Sequence, residues 1–208
     1  MKRLLLAAPF FAASPALAHH PLGGLPMETF SHGVLSGIGH PVLGFDHLFF
    51  VLAMGVMAHL SGRRFGAPLT YITAMLLGCV GTYAGLALPL QEGMIALSLI
   101  GLGGLVVRNR TDGRVAMLLA FAGFGLFHGA AFGASIAAQE GGAGAAVLIG
   151  YLIGLGAVQY LIAIGAGLAA RHASTLQTQL AGAMVAGVGV FLFLEQVEPP
   201  LLALLING

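Results

Sequence analysis

Residues 40 to 47 read HPVLGFDH and bring two histidines, an aspartate, a proline and a glycine into otherwise apolar surroundings. A carboxylate beside an imidazole, with a second imidazole seven residues earlier, is a donor set that can hold a divalent cation or pass protons. His128, in FGLFHGAAFG, and Glu92, in QEGMIALS, are further ionisable side chains within or at the edge of long apolar runs. Together, His40, Asp46, His47, Glu92 and His128 offer three imidazoles and two carboxylates, a set of formal charge −2 while the imidazoles are neutral. Such a set suits Ni²⁺, Co²⁺ or Zn²⁺, and its nitrogens argue against Mg²⁺ and Ca²⁺. Neutral imidazole is the metal-binding form, and a helix starting near Asp46 and His47 favours it through its dipole.

Plainer readings stand beside this one. A lone buried histidine is more often a hydrogen-bonded packing residue than a ligand. Three of them with an adjacent aspartate, in a chain only 7% charged, tilt the balance toward metal or proton chemistry. Met54 and Met57 read as gap-filling core residues rather than soft ligands. Gln159 either lines a path or bonds a neighbouring helix. His32 lies near a span end, where interfacial water is enough to explain it, although it could also sit on an ion's path. His19 and His20 either capture metal at the start of the mature chain or form a plain tail.

These residues sit in a chain of 208 residues that is 58% hydrophobic, with 33 glycines and no tryptophan. A soluble domain of that length needs far more charge to cover its surface, so the class is an all-α, polytopic membrane protein surrounded by lipid. The net charge of +1 points to no nucleic-acid partner, and no phosphate-cradling motif for a nucleotide occurs. One cysteine, Cys79, can form no internal disulfide. Residues 1–18, MKRLLLAAPFFAASPALA, have a basic start, a short apolar run and an A-x-A end, which reads as a cleaved signal peptide. Residues 19–208 then form one membrane domain.

Six apolar stretches follow, at about Gly33–Leu60, Pro68–Leu88, Gly93–Val107, Val115–Ala138, Ala143–Ala170 and Leu180–Leu194, where EQVEPP interrupts the last. In a continuous first helix His40 and His47, seven residues apart, share a face, whereas Pro41 and Gly44 invite a break with a restart near Asp46. Counting from Gly33, His47 lies roughly 21 Å below the outer end of span one, and His128 roughly 15 Å below that of span four. Those depths let the two meet, with Glu92 nearer the mouth. GxxxG spacings at Gly33/Gly37, Gly81/Gly85, Gly129/Gly133 and Gly150/Gly154 predict close helix contacts.

HPVLGFDH followed by an apolar span resembles the HPxxGxDH signature of the HupE/UreJ permeases, accessory proteins of hydrogenase and urease. The likeness extends over the mature chain, through the glutamate that opens span three and the HGAAFG of span four. It implies a six-helix inner-membrane permease carrying Ni²⁺ or Co²⁺ for hydrogenase, urease or cobamide synthesis, with no permanently bound cofactor. By motif match it also implies a metal-handling role for His40, Asp46, His47, Glu92 and His128. Two positions depart from the pattern: Phe132 stands where a second span-four histidine is common, and Gln159 where span five often carries a histidine. Two rival readings are an intramembrane zinc hydrolase, with His and Asp activating water, and a non-transporting metal-delivery or assembly protein.

Orientation follows from arginine placement. Arg63 and Arg64, then Arg108, Arg110 and Arg114, then Arg171 fall in alternate loops, while the intervening loops carry Glu92 and Glu140. Short arginine-bearing loops stay cytoplasmic, which places the mature N-terminus in the periplasm. Cysteines introduced at Arg110 or Arg171 are therefore expected to resist impermeant thiol reagents applied from outside, and a cysteine at Glu140 to label. Labelling of Arg110→Cys in sealed cells would reverse the orientation.

Overall fold

The computed structural model describes residues 26–109, 113–138 and 144–207. The signal peptide, His19, His20, Arg110 and Glu140 lie outside the described residues. Seven helices and no strands occur among the described residues: α1 (Phe30–Leu43), α2 (Phe45–Leu60), α3 (Gly66–Tyr83), α4 (Gln91–Arg108), α5 (Arg114–Ala137), α6 (Ala145–Ala170) and α7 (Thr175–Asn207).

The first expected span is two helices, bent by 80° at Gly44. The bend corrects the continuous-helix reading, in which a seven-residue spacing would have set His40 and His47 on one face, and it shortens the straight-line depth inferred for His47. Pro41 stays inside the last turn of α1, and the break falls three residues later. The last element departs further. EQVEPP does not end it, and α7 runs 33 residues through Pro199 and Pro200. Each proline removes only its own N–H, and the leucine-rich stretch beyond continues the helix. At 1.5 Å per residue α7 is about 50 Å long, more than the roughly 30 Å hydrocarbon layer requires.

By length and composition α4, α5, α6 and α7 can each cross a membrane, and α1 with α2 makes a fifth candidate as a bent pair; α3 falls outside that group. Direction adds to length. α1 runs parallel to α6, with Gly33 and Gly37 against the backbone of Val147 and Tyr151. Further along, α2 also runs parallel to α6, with Gly55 on Ala163 and His59 beside Gly167. α3 and α5 are parallel, Gly125, Gly129 and Gly133 following Tyr71, Met75 and Cys79. α4 and α7 are antiparallel, Gly103 near Gly182 and Ala186, and Ala96 near Gly189. These are the relative directions that alternating crossings give to spans one and five, two and four, and three and six. Because α1 and α2 advance the same way along α6, the bent pair progresses and does not turn back.

Three helix pairs, α3–α5, α4–α7 and α1–α6, pack most closely, and α2 touches α1, α3, α4, α6 and α7. Accordingly Phe50, Val51, Ala53, Met54, Met57 and Ala58 of α2 are all buried, and Met54 and Met57 are core residues as expected. Three of the four glycine pairs form helix contacts. Gly81 and Gly85 do not: Gly81 faces only the Leu86 side chain, and Gly85 lies past the end of α3 at φ +99°. Gly85 is therefore a turn glycine, using a left-handed conformation that costs it little.

A methyl group on Gly129 would fall on the Met75 carbonyl, whereas one on Gly101 would meet nothing within 4 Å. Gly129→Ala should lower the thermal midpoint in detergent, by an overpacking cost of about 1–3 kcal/mol. Gly101→Ala should leave it unchanged or raise it, since alanine favours the helix. Equal midpoints for the two variants would contradict the close α3–α5 approach.

Candidate metal centre

The centre is built around the single-residue break at Gly44. Its N–H donates to the His40 carbonyl at 2.9 Å, closing α1, and its own carbonyl accepts from Leu48 N at 2.9 Å, opening α2. Gly44 has no side chain to cap α2. The Asp46 carboxylate stands in the first turn of α2, where the helix dipole favours an anion. Space around Gly44 is tight. A Cβ on Gly44 would lie 3.1 Å from His47 Cδ2, 3.2 Å from Asp46 Oδ1 and 3.2 Å from the His40 carbonyl oxygen.

From this break His47, buried at 6% exposure, reaches across to α5. Its Nδ1 lies 2.7 Å from Nδ1 of His128, although α2 and α5 are not a closely packed pair. The other His128 nitrogen, Nε2, is 2.9 Å from Ser98 Oγ on α4, and Ser98 donates its hydroxyl to the Ile95 carbonyl at 2.6 Å. Phe50 packs on the His128 ring at 4.5 Å and Tyr71 stands edge-on at 5.9 Å, so His128 is fully enclosed. Nε2 of His47 points the other way, 3.6 Å from Asp46 Oδ2. Asp46 keeps about a quarter of its side chain exposed, so this is the open end of the cluster.

Distances separate what each contact can hold. With metal–ligand bonds of about 2.0–2.2 Å, two donors on one ion are roughly 2.9 Å apart at a right angle and 4.2 Å apart on opposite sides. The Asp46–His47 gap of 3.6 Å falls within that range. The His47–His128 contact of 2.7 Å falls below it and has the length of a hydrogen bond.

The expected five-residue cluster is thus only partly assembled. Asp46, His47 and His128 come together. His40 instead shares a hydrogen bond with the Tyr151 hydroxyl of α6, Nδ1 to O 3.1 Å. The Phe132 ring packs against both His40 and His47, with centroids at 5.2 and 4.1 Å, so an apolar ring occupies the ground they share. Glu92 is exposed in the first turn of α4, near enough for its charge to act on those of Asp46 and His47. Among the described residues no three His, Cys, Asp or Glu side chains converge as a cage for one ion.

Two path candidates have local duties. His32 exchanges contacts at the start of α1, its ring accepting from Glu28 N and its own N–H donating to the N-cap Thr29. Gln159 is buried, accepts from the Tyr71 hydroxyl at 3.2 Å and reaches Met75 Sδ at 3.8 Å, which ties α6 to α3. The helix-to-helix bond named for it in the sequence is therefore present. Ser98 and Tyr151 escaped the sequence reading. Their only signal was a hydroxyl within an apolar helix, which does not say what the hydroxyl faces.

The comparisons with known proteins bear on what this centre serves. Residues 6–192 match the family described as HupE / UreJ protein. The chain belongs to the HupE/UreJ family. Protein HupE of Rhizobium leguminosarum bv. viciae is 30% identical to it over 186 residues, covering 86% of this chain and 92% of the relative. No solved structure matches. In this HupE/UreJ chain the glycine of HPVLGFDH and its aspartate form one device, a break and the acidic first turn that follows it.

Gly44→Ala tests that device. The added methyl would push His47, Asp46 or the His40 carbonyl by a few tenths of an ångström, so metal uptake or binding should fall severalfold. The amount of protein in the membrane should change little. Wild-type uptake by Gly44→Ala would show that the break does not position the pair.

Proposed function

We propose that this protein is an inner-membrane permease that brings Ni²⁺ or Co²⁺ inward for hydrogenase or urease maturation, or for cobamide synthesis. The observation that carries the reading is the Asp46–His47 pair, its donors 3.6 Å apart at the part-exposed end of a buried polar cluster. Family membership and the likeness to Protein HupE support it. The ion is cargo and no resident cofactor is invoked.

In this reading Glu92 draws the cation toward the bundle, and Asp46 with His47 takes it from water. His40 and His128 flank the pair, and His19 and His20 collect metal ahead of it. A divalent cation moving inward down the membrane potential gains about 4.6 kcal/mol per 100 mV, so inward flow needs no nucleotide. An imidazole nitrogen with a carboxylate oxygen, and no thiolate, prefers borderline ions over Mg²⁺ and Mn²⁺. Protons compete for the same nitrogen, so acidifying the outside at constant potential slows uptake.

Purified protein in sealed vesicles holding a Ni²⁺-sensing dye decides the matter. Ni²⁺ or Co²⁺ should enter, and Asp46→Asn, which keeps the shape and removes the charge, should reduce the initial rate at least tenfold. Binding without entry would favour a delivery protein. Tightly held zinc with hydrolysis of a membrane substrate would favour an enzyme. Normal uptake by Asp46→Asn would remove the pair from the mechanism.

A further inference from the structure

Ser98 has a single proton, and the 2.6 Å contact to the Ile95 carbonyl uses it, because two oxygens that close need a hydrogen between them. At its other contact Ser98 Oγ must therefore accept, and the donor at 2.9 Å is His128 Nε2. A neutral His128 protonated on Nε2 presents a lone pair at Nδ1. The two Nδ1 atoms, 2.7 Å apart, then share one proton, and it belongs to His47. With its proton on Nδ1, neutral His47 carries its lone pair on Nε2, facing the Asp46 carboxylate across 3.6 Å.

We propose that Ser98, through His128, sets the tautomer of His47 so that the Nε2 lone pair is aimed at the ion's point of arrival beside Asp46. The proposal rests on the metal reading above and assigns new roles within it. Ser98 and His128 are positioning residues, and neither nitrogen of His128 is a ligand in this state. Metal-binding histidines commonly donate their second ring N–H to an acceptor that fixes their orientation. Here that acceptor is another imidazole, held in turn by a hydroxyl anchored on a helix carbonyl. Ni²⁺ arriving at Nε2 displaces no proton from that nitrogen. The opposite polarity, with the Ser98 hydroxyl donating to His128, would place a hydrogen on His47 Nε2 and block the ion.

The test uses nitrogen NMR of ¹⁵N-histidine in the metal-free, full-length protein in bilayers at alkaline pH, which distinguishes protonated from bare ring nitrogens. His47 should carry its proton on Nδ1 and His128 on Nε2. Ser98→Thr should retain both assignments, and Ser98→Ala should lose them. In Ni²⁺ titrations of the same samples, Ser98→Ala should bind about 10–100-fold more weakly, and Ser98→Thr close to wild type. A wild-type proton on His47 Nε2, or tautomers unchanged in Ser98→Ala, overturns the proposal. The wild-type spectrum tests it even if Ser98→Ala fails to assemble. Tautomers as assigned in a protein that binds no Ni²⁺ would sink the metal reading while leaving the relay in place.

Discussion

Everything in the centre depends on one constraint: a polar group inside an apolar bundle must find a partner within the protein. His128 is fully buried among Phe50, Tyr71 and the helices around them, so both of its nitrogens need partners. Ser98 satisfies one and His47 the other. In the relay proposed above, that pairing sets which nitrogen of His47 is left for chemistry. In water each ring would choose its tautomer independently. In the proposed relay, a chain of single hydrogen bonds ending on the Ile95 carbonyl removes the choice.

Asp46 resolves a second conflict. The N-terminus of a helix attracts anions, so the first turn of α2 is by itself a poor place for a cation. The carboxylate in that turn supplies negative charge beside His47 Nε2. In the proposed reading, that charge is what makes the helix end suitable for a metal ion. The Asp46 side chain is partly exposed, and the Glu92 charge acts on it.

The glycines carry the mechanical part of this arrangement. α1 and α6 meet backbone to backbone through Gly33, Gly37, Gly150 and Gly154, and α3 and α5 do so through Gly125, Gly129 and Gly133. Lipid gives helices no hydrophobic reason to associate, so contact quality must hold them, and small residues permit it. Firm outer pairs leave α2 enclosed, and only side chains bridge from it to α5. A rigid frame around a side-chain bridge keeps a 2.7 Å contact in register.

The sequence by itself determined the class of molecule, most helix positions and the pairing of Asp46 and His47, because hydropathy, helix length and adjacent donors are local properties. The α4, α5 and α6 bounds fall within about two residues of the apolar stretches read from the chain. It also marked His128 as a partner, since an ionisable residue in an apolar helix needs one. Only the tertiary structure decided that the first span bends by 80° at Gly44, that Phe132 holds the ground between His40 and His47, and that Ser98 and Tyr151 hold the histidines. The physical reason is distance along the chain. Ser98 is 30 residues from His128, and Tyr151 is 111 from His40. Which hydroxyl meets which ring nitrogen depends on the rotation of each helix about its own axis, and that rotation is set by packing against all its neighbours at once.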